Sequence, residues 1–201
     1  MLDTAARRLI DPPLNRLGQG LAGWGVSANT VTFLGLALGI VAGATIALGA
    51  PGWALIPLLA SRLADGLDGA VARATRKTDL GGYFDIWADF LFYGLIPLAF
   101  ALLDPSNGTA AAFLLFAFYV NGTSFLGVAI LAAKRGLETT AQGQKSLYYS
   151  AGLLEGTETI LFFVLLCLMP QWFVPLSLAF GALCLFTAAA RVLNARHLFT
   201  D

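Results

Sequence analysis

Long apolar stretches occupy almost the whole chain, and they decide its fold class. A helix needs about 20 predominantly apolar residues to cross the hydrocarbon core of a membrane. With 58% hydrophobic and 12% charged residues among 201, the composition lies outside the usual range of soluble domains. The sequence therefore predicts an all-α membrane protein that forms a bundle of six transmembrane helices. The predicted spans are residues 29–49, 52–75, 81–103, 109–133, 151–169 and 172–193.

The segments between these spans are short, so residues 1–201 are predicted to form a single membrane domain with the six-helix bundle at 29–193. Residues 1–20 are charged and lack the apolar region of a signal peptide. Their apolar residues nevertheless recur at helical spacing, which favours an N-terminal amphipathic helix in the membrane interface. A disordered tail is the alternative. Nothing in the sequence predicts a nucleic-acid partner.

Basic residues are distributed unequally between the two sides of the predicted membrane. Lys and Arg occur near both termini and in the loops after the second and fourth spans, but not in the other three loops. By the positive-inside rule, both termini face the cytoplasm. We therefore expect a multi-pass protein of the bacterial inner membrane, with its polar residues gathered at the cytoplasmic ends of the spans.

Four aspartates interrupt the second and third spans. Asp65 and Asp68 are three residues apart, and Asp85 and Asp89 are four apart, so each pair lies on one face of its helix. A turn at residues 76–80 would form an antiparallel hairpin and bring the two faces together. Because one aspartate near the centre of a membrane helix costs roughly 2.5–3.5 kcal/mol, four of them indicate bound cations.

Carboxylate oxygens are the ligands that hard divalent ions such as Mg²⁺ and Mn²⁺ prefer. Two such ions can stabilise the attacking and leaving oxygens of a phosphoryl displacement. Small residues beside the aspartates, Gly66, Gly69 and Ala72, leave space for a ligand, and Arg73 has the forked donors that bind diphosphates. Two alternatives remain open. The aspartates could form a structural salt-bridge cluster with Arg62, Arg73 and Arg76, or they could line a cation or proton pathway in a transporter, for example of divalent cations.

These aspartates belong to a longer pattern within residues 65–89. It is written Asp65-x-x-Asp68-Gly69-x-x-Ala72-Arg73, then Gly81-x-x-x-Asp85-x-x-x-Asp89. The pattern resembles the signature of the CDP-alcohol phosphotransferases, which make phospholipids by moving a phosphatidyl or phosphoalcohol group from a CDP-linked donor. The gap between Arg73 and Gly81 is one residue shorter than usual. Gly82 would restore the gap, but it would shift the last two aspartates out of register.

The resemblance implies an enzyme that transfers a phosphatidyl group from CDP-diacylglycerol to an alcohol and releases CMP. Transfer of a phosphoalcohol from a CDP-alcohol to a lipid hydroxyl is the alternative within the family. It further implies two Mg²⁺ or Mn²⁺ ions, a homodimer, and Asp89 as the base for the acceptor hydroxyl. The implied metal ligands are Asp65, Asp68, Asp85 and Asp89, and the implied CDP contacts are Asp65, Gly69, Ala72 and Arg73.

Further polar residues are predicted at the same cytoplasmic level and are candidates for binding the acceptor. Basic side chains there would suit a phosphorylated acceptor, whereas glutamates would suit an amino alcohol, and the sequence leaves this choice open. Asn29 and Thr32 also lie at this level, and Asn29 could simply cap its helix. The acceptor-binding candidates are Lys134, Arg135, Lys145, Glu155, Glu158 and Arg191.

Overall fold

The computed structural model describes residues 2–136 and 156–199, and these residues form helices and turns without strands. Short 3₁₀ turns at Pro105–Asn107 and Pro170–Trp172 precede two of the helices. The α-helices of the described residues are α1 (Leu2–Gly23), α2 (Ala28–Ala47), α3 (Pro51–Ala74), α4 (Asp79–Leu103), α5 (Gly108–Lys134), α6 (Gly156–Leu168) and α7 (Phe173–Leu198).

Helices α2 to α7 follow the six predicted spans closely, and the all-α fold is confirmed. Residues 151–155 of the fifth predicted span lie outside the described residues. Helix α3 is as long as its neighbours, but it carries Arg62, Asp65, Asp68 and Arg73. That all six helices span the membrane therefore stays a prediction. Within residues 2–136 and 156–199, four segments are long and apolar enough to cross a membrane, namely Ala28–Ala47, Asp79–Leu103, Pro105–Lys134 and Pro170–Arg196.

Local capping explains where the helices near the aspartates begin. Ser27 caps α2, and its side chain accepts a hydrogen bond from the backbone N–H of Thr30. The suggestion that Asn29 caps this helix is therefore wrong. Thr78 caps α4 in the same way by accepting from the N–H of Gly81 at 3.0 Å. Only residues 75–78 separate α3 from α4, so the predicted hairpin is confirmed with a slightly shorter turn.

A stripe of glycines brings α2 against both α3 and α4. A Cβ atom on Gly35 would lie 3.1 Å from the Cβ of Ala64 in α3, and one on Gly39 would lie 2.8 Å from Cδ2 of Phe92 in α4. Gly43 faces α4 equally closely. Small residues of this kind let membrane helices approach until their backbones nearly touch. Helix α2 therefore sets the separation of α3 and α4, the two helices that carry the aspartates.

Aromatic side chains fill the core between α4, α5, α6 and α7. Phe162 and Phe180 stack with ring centroids 4.0 Å apart, and Phe100 stacks on Phe173 at 4.8 Å. Phe92 is fully buried at the edge of this core that faces α3. The apolar core therefore ends at Phe92, one turn along α4 from Asp89.

The N-terminal segment is helical, as the amphipathic pattern predicts. Helix α1 continues through Pro12 and Pro13 and packs against α3. Leu14 is 5% exposed, and a Cβ on Gly18 would lie 2.7 Å from the Cβ of Ala70. One face of α1 is thus fixed on the helix that carries Asp65 and Asp68, while its position in the membrane interface stays a prediction.

Candidate active site

Three of the four aspartates converge between α3 and α4. Asp65, Asp85 and Asp89 each offer a carboxylate oxygen, and these oxygens lie within 4.8 Å of one another. We call these three residues the carboxylate cluster. Oxygens on opposite sides of one Mg²⁺ ion are about 4 Å apart, because each lies 2.0–2.1 Å from the ion. The spacing and the hard oxygen donors therefore fit divalent metal ions.

The fourth aspartate lies beside the cluster but is held separately. Oδ2 of Asp68 accepts a hydrogen bond of 2.5 Å from Oγ1 of Thr32 on α2. Both residues are buried, at 5% and 7% exposure. Thr32 therefore fixes the orientation of Asp68, a contact across 36 residues of sequence. The role of Asp68 as a metal ligand stays a prediction.

Arg62 is a functional candidate that the aspartate pattern does not contain. Its Nη1 lies 2.8 Å from Oδ1 of Asp89 and 3.6 Å from Oδ1 of Asp65, and its side chain is 8% exposed. The Cζ atom stands 3.6 Å above the centre of the Phe92 ring. The sequence analysis named Arg62 as a possible salt-bridge partner of the aspartates, and its contacts with Asp65 and Asp89 confirm that pairing. The structure places this buried cation directly on the carboxylate cluster.

The predicted CDP contacts Gly69, Ala72 and Arg73 lie together towards the end of α3. Nε and Nη2 of Arg73 donate to Oδ1 of Asn15 on α1 at 3.2 and 2.8 Å. A Cβ on Gly69 would lie 3.3 Å from Nη1 of Arg73, so the guanidinium lies close to the glycine that precedes it by one turn. Ala72 is partly buried. Asn15 is a partner of Arg73 that the sequence analysis missed.

The structure also bears on the choice between Gly81 and Gly82. A Cβ on Gly81 would lie 2.9 Å from Oγ1 of Thr78 and 3.2 Å from Oδ1 of Asn29. A Cβ on Gly82 would meet no atom of the described residues within 4 Å. Gly81 is thus the position with little room for a side chain, which favours the register that keeps the aspartates in step.

A second polar group joins α5 and α7. Arg191 is 5% exposed, and its Nη1 donates to Oδ1 of Asn121 and Oγ of Ser124, both at 2.8 Å. It also donates to the backbone oxygen of Asn121 at 3.2 Å. We call Arg191, Asn121 and Ser124 the Arg191 cluster. Asn121 and Ser124 were missed, although two polar residues three apart in an apolar span are a usable signal.

The remaining acceptor candidates are dispersed. Lys134 and Arg135 are exposed at the end of α5, where Arg135 donates to the backbone oxygen of Phe199 at 3.2 Å. Glu158 is partly buried in the first turn of α6. Lys145 and Glu155 lie outside the described residues, so their roles stay predictions.

The apolar helices and the carboxylate cluster define an integral membrane protein with a site suited to hard cations. The sequence profile of the CDP-alcohol phosphatidyltransferases matches residues 25–192. The chain belongs to this family of enzymes, which are transferases of phospholipid biosynthesis.

The chain is similar to two further proteins. An inner membrane protein of Escherichia coli (strain K12), YnjF, is 47% identical over 193 residues, which cover 96% of this chain and 94% of that protein. The archaetidylinositol phosphate synthase of Pyrococcus horikoshii is 35% identical over 97 residues. That second match covers 48% of this chain and 52% of the archaeal enzyme.

Proposed function

We propose that the enzyme transfers a phosphatidyl group from CDP-diacylglycerol to an alcohol and releases CMP. The observation that carries the proposal is the convergence of carboxylate oxygens of Asp65, Asp85 and Asp89 within 4.8 Å of one another. Family membership identifies an enzyme, so the transporter hypothesis is not retained. Transfer of a phosphoalcohol from a CDP-alcohol to a lipid hydroxyl would use the same residues and is the second candidate.

The carboxylate cluster and Asp68 are the proposed ligands of two Mg²⁺ or Mn²⁺ ions. When bound, such ions neutralise the charge of the diphosphate and of the displaced phosphate oxygen. Arg73 is proposed to bind the diphosphate, because its planar guanidinium matches two phosphate oxygens at once. Asp65, Gly69 and Ala72 are proposed to contact the CDP part of the donor.

The transfer itself requires one proton acceptor. Asp89 is proposed to take the proton of the acceptor hydroxyl as its oxygen attacks the phosphorus that carries diacylglycerol. A phosphorus–oxygen bond to the acceptor forms, the bond to the bridging oxygen breaks, and CMP leaves with that oxygen. Positioning and charge neutralisation contribute most of the acceleration in phosphoryl transfer, so one base is sufficient.

The acceptor is proposed to bind between the metal site and α5, α6 and α7. Basic side chains predominate among the candidates, which favours a phosphorylated alcohol over an amino alcohol. The named activity of the archaeal relative, archaetidylinositol phosphate synthesis, supports the same choice. The proposed acceptor residues are Lys134, Arg135, Lys145, Glu155, Glu158 and Arg191.

We also propose a location and an assembly. The protein lies in the inner membrane with six spans, its α1 helix in the interface, and both termini and the carboxylate cluster on the cytoplasmic side. The distribution of basic residues and the inner membrane relative support this orientation. The proposed assembly is a homodimer, by analogy with the family.

A CMP-release assay tests the reaction. The purified protein in lipid nanodiscs is incubated with Mg²⁺ or Mn²⁺, radiolabelled CDP-diacylglycerol and a panel of alcohols, with phosphorylated alcohols first. A parallel arm supplies CDP-alcohols and diacylglycerol. Release of CMP together with a new phospholipid identifies the donor and acceptor classes, and an Asp85→Asn variant controls for contaminating enzymes. Absence of CMP release in every combination would overturn the proposal.

A further inference from the structure

Arg62 is a buried cation that lies outside the family motif, and both of its terminal nitrogens have hydrogen-bond partners. Nη2 of Arg62 donates to Oγ of Ser61 at 3.1 Å, and the Ser61 hydroxyl in turn donates to the backbone oxygen of Gly35 at 2.7 Å. The Phe92 ring supports the guanidinium from below at 3.6 Å. Because a buried charge persists only when it is paired and oriented, this arrangement points to a specific use of the charge.

The position of the charge decides what it can do. Nη1 lies 2.8 Å from Oδ1 of Asp89 and 3.6 Å from Oδ1 of Asp65, so one guanidinium bridges two members of the carboxylate cluster. A fixed positive charge at this distance repels a divalent cation that approaches the same carboxylates. The hydrogen bond from Nη1 of Arg62 to Oδ1 of Asp89 also orients Asp89.

We propose that Arg62 is a built-in cation of the active site, which positions Asp89 and lowers the affinity of the carboxylate cluster for divalent ions. This inference rests on the proposed metal-dependent transfer. Arg62 keeps the carboxylates together before substrate arrives and prevents the site from holding an ion so tightly that its coordination cannot adjust during the reaction. It acts through Asp65 and Asp89, and is thus a positioning residue.

Mn²⁺ binding in the absence of substrate is the primary measurement. Purified protein is titrated with MnCl₂, and free Mn²⁺ is measured by electron paramagnetic resonance. Arg62→Gln removes the charge but retains a hydrogen-bond donor, so its Kd for Mn²⁺ should fall about tenfold as the repulsion disappears. Arg62→Lys retains the charge, and its Kd should stay within about threefold of the wild-type value. Turnover should fall in Arg62→Gln even though the metal binds more tightly.

A second pair of variants leaves Arg62 itself unchanged. Phe92→Leu removes the aromatic face beneath the guanidinium, so the charge becomes less fixed and the Kd for Mn²⁺ should fall by roughly threefold. Phe100→Leu removes a fully buried ring from the same helix, two turns further from the cluster, and should leave the Kd unchanged. Both variants lose a core ring, so melting temperatures separate general destabilisation from the specific effect.

The possible outcomes are distinct. Tighter Mn²⁺ binding by Arg62→Gln and Phe92→Leu, with Arg62→Lys and Phe100→Leu near wild type, supports the inference. Equal or weaker binding by folded Arg62→Gln would show that Arg62 is a structural ion-pair partner. If Arg62→Gln does not fold, equal Kd values for the two phenylalanine variants would overturn the inference. A wild-type protein that binds no Mn²⁺ would overturn the proposed metal-dependent function as well.

Discussion

In the part of the chain whose side chains the structure describes, two arginines, Arg62 and Arg191, are buried, and their surroundings differ. Arg62 contacts the carboxylates of Asp65 and Asp89, whereas Nη1 of Arg191 contacts the neutral oxygens of Asn121 and Ser124. At the carboxylate cluster, negative charge exceeds the positive charge of Arg62, so the site attracts further cations. At the Arg191 cluster, neutral groups orient a cation between α5 and α7. The difference supports the proposal that the first region binds metal ions and the second orients the acceptor.

Removal of the divalent ions should have the largest effect, because the proposed reaction requires them to neutralise the charge of the diphosphate and of the leaving oxygen. We expect excess EDTA to abolish turnover and Mg²⁺ or Mn²⁺ to restore it. Ca²⁺ should restore it poorly, because it is larger and less strict in its geometry. The CMP-release assay measures all three. Full turnover in excess chelator would contradict this distinction between the two regions, because the carboxylate cluster would then not bind a metal ion needed for the reaction.

Substitution of Asp89 should have the next largest effect. Asp89→Asn should lower kcat by about 10²- to 10⁴-fold, the usual contribution of a general base, while CDP-diacylglycerol still binds. Asp68→Asn should weaken donor binding as well. Asp79→Asn is the matched control, because Asp79 lies exposed in the first turn of the same helix. Equal loss of donor affinity in the Asp89 and Asp68 variants would count against Asp89 as the base.

Arg73 should contribute to donor affinity alone. Arg73→Lys retains the charge but loses the planar fork, so donor binding should weaken by about 1.5–3 kcal/mol. Asn15→Ala frees the guanidinium of its partner on α1 and should weaken donor binding by a smaller amount. Both should leave acceptor kinetics unchanged. Donor affinities are measured by equilibrium binding of CDP-diacylglycerol, and an unaltered affinity of Arg73→Lys would assign Arg73 to a structural contact with Asn15.

Variants of the second region should have the smallest effect on the reaction. Arg191→Ala and Glu158→Gln are expected to raise the acceptor KM by up to about tenfold, or to change which alcohol is used, without altering donor binding. Arg196→Ala, exposed on the same helix as Arg191, serves as the control. Melting temperatures are measured alongside. If the two variants lose stability and impair donor and acceptor kinetics alike, the Arg191 cluster is structural and both residues leave the acceptor site.

The parts of the site that the sequence predicts are those built from short spacings. Asp65, Asp85 and Asp89 share helical spacings across one tight turn, and the structure brings them together. The contacts of Asp68 with Thr32 and of Arg191 with Asn121 connect residues 36 and 70 positions apart. Such contacts depend on which faces of distant helices meet, and apolar periodicity does not determine that in a membrane, where every face is apolar.

Arg62 is a further example of contacts that the sequence does not predict. Arg62 is visible in the sequence as a charge within an apolar stretch, but its partner Asp89 lies 27 residues away and the ring that supports it lies on another helix. The boundaries of α2 to α5 were predictable because caps, prolines and charges mark them. The contacts of Arg62 with Asp89 and Phe92 could not be predicted, because they depend on the distance at which α2 holds α3 from α4.

The close packing around Gly39 determines which substitutions helix α2 can accept. A Cβ there would lie 2.8 Å from the Phe92 ring and 3.2 Å from Oγ of Ser61, the two groups that support Arg62. One added methyl group would therefore disturb the guanidinium without touching any charged residue. The next two residues of α2, Ile40 and Val41, are exposed and should accept many apolar replacements. In a library of random variants, we therefore expect most substitutions of Gly39 to abolish activity and most apolar substitutions of Ile40 to retain it.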